Sequence, residues 1–75
     1  MRTIAFFKEK FMEQLTDSEV VSDDTLFKDL SSWDSLTSMA VINMVEDEFG
    51  VILNDSDLNQ QSTIIDLFNL IKSRQ

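Results

Sequence analysis

Apolar residues recur at intervals of three and four along most of this chain, the spacing that gathers side chains on one face of an α-helix. Ile4, Phe7, Phe11 and Leu15 form one such stripe, and Thr3 stands ahead of it as a side chain able to cap the helix start. Thr63 to Ser73 repeats the pattern through Ile64, Leu67, Phe68 and Ile71. There Thr63 and Asp66 read as a capping box with Asp in place of Glu. A third helix is expected from about Ser35 to Phe49, with Asp34 as N-cap and Gly50, the sole glycine, as its stop.

Two segments fall outside this periodicity. Thr16 to Trp33 is too long to be an idle loop in so small a chain, and it carries Val20, Val21, Leu26, Phe27 and Leu30. It is expected to be ordered and pinned to the core by those five side chains. After Gly50, the run VILNDSDLNQQS offers Leu53 and Leu58 around a single turn beginning near Asn54 or Asp55. The chain is therefore read as all-α: three main helices plus one short helix, with a long ordered loop between the first and second. At 75 residues it is expected to be one domain, 1–75, near the lower size at which one core suffices.

The central helix is the informative one. Val41, Ile42, Val45 and Phe49 share one side with Ser38, and they make a sufficient core stripe. Leu36, Met39, Ala40 and Met44 sit opposite or on its flanks, mixed with Asn43, Glu46 and Asp47. A bundle this small cannot bury a helix on all sides. Met39 or Met44 could plug the core edge, and the pattern does not choose between them. Leu36 and Ala40 with their acidic neighbours read as a partner-binding face, because exposed apolar groups rimmed by charge mark interaction sites.

Composition narrows the function. With no Cys and no His, the commonest general base, the usual zinc ligands and any thiolate site are missing, so no enzymatic activity is expected. The net charge of −8 argues against nucleic-acid and acidic-membrane partners, since a phosphate surface would repel it. Lys8, Glu9, Lys10 and Glu13 interrupt the apolar residues near the start, which reads as neither signal peptide nor membrane span. A soluble, cytoplasmic monomer is the expectation. The basic residues are Arg2, Lys8, Lys10 and Lys28 on one side of the centre and Lys72 and Arg74 on the other. Between them stand only acids, a distribution that either solubilises the surface or steers it toward basic partners.

Ser35 falls at the first position of the central helix, beside unpaired backbone N–H groups and the positive end of the helix dipole. A phosphate ester placed there is electrostatically favoured. Ser35 is a poor nucleophile, with nothing nearby in sequence to deprotonate it. Taken alone, Asp34 and Ser35 are equally an ordinary helix start.

WDSLTSMAVINMVEDEFGVIL closely resembles the phosphopantetheine-attachment region of acyl carrier proteins, whose hallmark is Asp-Ser-Leu opening the second helix. The similarity extends to the upstream loop DDTLFKDL, the link FGVILNDSDL and the last helix STIIDLFNLI, so it covers essentially the whole chain. It implies an acyl-carrier-like bundle, free-standing, in which Ser35 carries 4'-phosphopantetheine added from coenzyme A by a phosphopantetheinyl transferase. The arm's thiol would hold acyl intermediates as thioesters, which answers the absence of Cys. By the same resemblance Asp34 would position the loop and the transferase's metal. Leu36, Met39, Glu46 and Asp47, with Ala40 and Asn43, would meet basic docking surfaces on acyl-loading and acyl-transfer enzymes.

Departures from fatty-acid carriers point to a specialised pathway. Thr37 and Ala40, with Asn43 further along, stand where many such carriers place acids, so the expected docking surface is less acidic near the serine. Trp33 is bulky before the Asp and is expected either to pack on the loop or to stack against the arm or a partner. Gln61 stands near an apolar cavity-lining position. An aminoacyl or peptidyl carrier is the alternative within the same serine chemistry. A different class, an acidic helical interaction or divalent-cation module, rests on Asp55, Asp57, Asn59 and Asp66 at positions 1, 3, 5 and 12 of an EF-hand-like loop. There Gln60 replaces the required Gly and Asp66 the bidentate Glu.

Overall fold

The computed structural model describes residues 2–75. Its helices are α1 (Ile4–Met12), α2 (Ser35–Phe49), α3 (Asp55–Asn59) and α4 (Ile64–Ser73), with a 3-10 turn at Phe27–Asp29. α1 packs against both α2 and α4. Among the described residues no strand forms, and Leu26 and Thr63 make an isolated antiparallel bridge. No described helix is long and apolar enough to cross a membrane.

The helix ends follow from local chemistry. Thr3 accepts from the Phe6 N–H, Asp34 from Thr37, Asn54 from Asp57 and Thr63 from Asp66. Asn54–Asp57 and Thr63–Asp66 are full capping boxes, each acid accepting in return from the N-cap N–H. Gly50 ends α2 in the left-handed region at φ 69°, where a side chain would be strained.

One continuous core runs from Phe7 to Ile71, and Phe7, Phe11, Phe27, Val41, Val45, Ile64, Leu67 and Ile71 are fully excluded from solvent. Leu15 belongs to it too, although α1 stops at Met12 and Leu15 folds under in the following turn. Ile4, Ile42 and Phe68 are only half-buried at the core's margin. Of the two methionines the pattern left open, Met44 fills the core edge and Met39 faces solvent, 58 % exposed.

The loop from 16 to 33 is anchored by fewer apolar side chains than expected. Val21 and Phe27 are buried and Leu30 packs on the core, but Val20 and Leu26 are exposed. Polar bonds do the remaining work. The carbonyls of Thr25 and Asp23 accept from Ile64 N–H at 3.1 Å and Ile65 N–H at 2.8 Å, satisfying two unpaired donors at the start of α4. Lys28 Nζ donates to the Asn59 carbonyl at 2.7 Å and Lys8 pairs with Asp23 at 2.6 Å. Trp33 packs inward: its ring stacks on Phe11 at 6.1 Å and meets Phe27 edge-on at 5.1 Å.

Candidate functional site

Ser35 opens α2 and is exposed, its hydroxyl at the helix's positive end. Beside it, Asp34 Oδ1 accepts from the Thr37 N–H at 2.8 Å. That bond, first among its causes, holds the Asp34 carboxyl below its ordinary pKa. Asp34 therefore stays ionised as a cap, and its commitment to Thr37 makes it unsuited to deprotonating Ser35. Thr37 is itself buried, with Oγ1 donating to the Ser32 carbonyl at 2.8 Å. Its expected place on the docking surface is thus corrected: Thr37 locks the helix start from within.

Downstream of Ser35, Leu36, Met39, Ala40, Asn43, Glu46 and Asp47 lie within an arc of roughly 120° at the helical 100° per residue. Leu36 is 75 % exposed; Asn43, Glu46 and Asp47 are also exposed and Ala40 is half-buried. The structure brings the expected partner-binding residues together as one strip that begins at Ser35. The opposite arc holds the buried Thr37, Val41, Met44, Val45 and Phe49. A shallow groove of about 320 Å³ between α1 and this strip is lined by Lys10, Gln14, Ala40, Asn43 and Asp47 among others, and Ser35 is not part of it.

The basic side chains are engaged within the chain. Arg2 pairs with Glu48, Lys8 with Asp23, Lys10 with Glu13 and Arg74 with Asp57. Lys28 is bound to a carbonyl and Lys72 lies over the Phe68 ring at 6.0 Å. Among the described residues, no Lys or Arg is within pairing distance of Glu46 or Asp47, so neither acid is in an ion pair.

The calcium-loop reading does not hold. Asp55 to Asn59 is helix α3, not a loop, and Asp66 is spent capping α4. Asp57 caps α3 and accepts both Arg74 guanidinium nitrogens at 2.7 and 2.8 Å, which keeps its carboxyl below the ordinary value. Among the described residues, no group of three or more acids is arranged to hold a metal. Sequence reading also missed Glu19 and Ser32, whose bonds brace the approach to Ser35. Their separation in the chain leaves no periodic signal.

The family model for the phosphopantetheine attachment site matches residues 6–71. No solved structure matches the chain.

Proposed function

The chain belongs to the phosphopantetheine-attachment family, and we propose that Ser35 is the residue that takes the group and that its cargo is an acyl chain. Members of the family are non-catalytic carriers that hold 4'-phosphopantetheine covalently. When bound, the group supplies a thiol on a long arm, which this chain lacks in its own side chains. The residues present fit that group: an exposed hydroxyl sits at a helix N-terminus, where a phosphodiester's negative charge is favoured. Asp34 and Thr37 fix the first turn so that Ser35 is presented in one geometry. A phosphopantetheinyl transferase supplies the modification, because nothing in this site activates the serine.

The observation that carries the reading is the strip descending from Ser35, with exposed Leu36 and Met39 above the unpaired Glu46 and Asp47. Apolar anchors rimmed by charges of one sign suit partner enzymes with basic docking surfaces, which are steered in by charge and seated by Leu36 and Met39. Asn43 and Ala40 leave the middle of the strip uncharged, and Gln61 places a polar group near a cavity-lining position of fatty-acid carriers. Both features support service in a specialised acyl pathway rather than general fatty-acid synthesis.

The test offers the phosphopantetheinylated protein to fatty-acid synthase elongation enzymes and, separately, to aminoacyl-adenylating loading enzymes, beside a general fatty-acid carrier. Acyl loading with poor elongation is expected. Elongation as efficient as the general carrier's contradicts the specialised role, and preferential aminoacyl loading replaces the acyl reading with the peptidyl-carrier one.

A further inference from the structure

A hydrogen-bond relay runs from the loop after α1 to both sides of Ser35, and the carrier chemistry described above does not use it. Glu19 stands at its head. Its Oε2 accepts from the Ser31 N–H at 3.0 Å, and its Oε1 accepts from the Ser32 N–H at 3.2 Å and from the Ser32 hydroxyl. The Ser31 hydroxyl lies 3.1 Å from Glu19 Oε2 and 2.9 Å from Asp17 Oδ2, and gives its one proton to either. Ser32 is 4 % exposed, and its oxygen also accepts from the Asp17 N–H at 3.2 Å. Its carbonyl in turn accepts from Thr37 Oγ1 at 2.8 Å, while Thr37 N–H is held by Asp34 at the same distance.

One carboxylate thus fixes two consecutive residues of the turn that enters α2, and the second of them is bonded into the helix's first turn beyond Ser35. The Ser32 hydroxyl, more than the other donors, holds the Glu19 carboxyl below its ordinary pKa, so the acceptor is ionised at neutral pH. Trp33, between this latch and Asp34, is clamped against Phe11 and Phe27. The bonds converge on residues 31–37, the turn on either side of Ser35. An enzyme that must seat Asp34, Ser35 and Leu36 together gains from a turn ordered beforehand, since ordering it during binding costs affinity.

We propose that Glu19 is a positioning residue for the modification of Ser35, holding the Ser31–Asp34 turn in the conformation that the transferase engages. The proposal rests on Ser35 being the attachment serine.

Initial rates of phosphopantetheinylation are measured with coenzyme A, magnesium and a transferase on the full chain, below the unfolding temperature of each variant. Glu19→Ala is expected to raise the KM for the carrier about three- to tenfold with kcat little changed, the scale of losing one or two pre-ordered side chains. Glu19→Gln, which keeps the shape and one acceptor oxygen, is expected to fall between. Ile71→Val in α4, remote from the latch, serves as the stability control and is expected to keep the wild-type KM. A wild-type KM in both Glu19 variants overturns the proposal, as does an equal rise in Ile71→Val, which reduces the effect to stability. If the wild-type chain is not modified at Ser35, the attachment reading falls and the proposal with it; wild-type modification with indifferent Glu19 variants overturns the proposal alone.

Discussion

Replacing Phe11 with Leu probes the aromatic anchor beneath the segment that leads into Ser35. Phe11 has no solvent exposure and meets three rings: Phe7 at 5.9 Å, Phe27 at 6.0 Å and Trp33 at 6.1 Å, the last stacked within 5° of parallel. Leucine keeps the site apolar and nearly full, so the loss is chiefly that of ring contacts, each contributing about 0.5–1.5 kcal/mol beyond the area buried. Partial repacking recovers some of this, and a net loss of about 2 kcal/mol is expected. At a urea dependence of about 1 kcal/mol per molar for so small a protein, the midpoint should fall by about 2 M. Unfolding is followed by far-ultraviolet circular dichroism, because Trp33 is the only tryptophan and is part of the perturbation. Adding Trp33→Leu and the double variant completes a cycle, and a coupling of about 0.5–1.5 kcal/mol is expected for the stacked pair. A coupling near zero would refute the inward seat of Trp33 and return it to the surface as a contact for the arm or a partner.

Other consequences follow from single features. Gly50→Ala should cost about 1 kcal/mol in urea unfolding from the positive φ alone, since no atom lies within 4 Å of the added Cβ. Thr63→Ala removes the acceptor for Asp66 N–H and should cost about 1 kcal/mol, read in the same way. The Asp57 carboxyl is held below its ordinary pKa, first by the Arg74 hydrogen bonds, so its contribution is intact above the unfolded value and is lost as pH falls through the lower folded one. Asp57→Asn should therefore flatten the acid limb of stability against pH below the unfolded carboxyl value of 3.8 and leave the slope above it unchanged. Leu36→Ala and Met39→Ala, both on exposed side chains, should leave stability within about 0.5 kcal/mol while weakening association with a basic-faced partner enzyme, a difference that calorimetry resolves.

What could be read in the sequence is what local chemistry decides. Thr3, Asp34, Thr63 with Asp66, and Gly50 each act within a few residues of where they stand, and each does in the structure what its type and spacing implied. The exposed strip on α2 is legible for the same reason, because helical spacing alone puts Leu36, Met39, Asn43 and Asp47 together. Met39 and Met44 were not separable, since the choice depends on where α1 lies against α2. In the loop no period exists to say that Val21 turns in while Val20 turns out. The bonds that order it, Glu19 to Ser31 and Ser32 and Lys28 to Asn59, join residues 12 to 31 positions apart, beyond any local pattern.

The central claim is that Ser35 carries the prosthetic arm, and intact-protein mass tests it most directly. The chain is incubated with coenzyme A, magnesium and a broad-specificity phosphopantetheinyl transferase, beside Ser35→Ala with its fold verified by circular dichroism. A gain of one phosphopantetheine in the wild type and none in Ser35→Ala is the predicted result. An equal gain in both would place the attachment on another residue, and no gain in the folded wild type with two different transferases would contradict the carrier role of this serine.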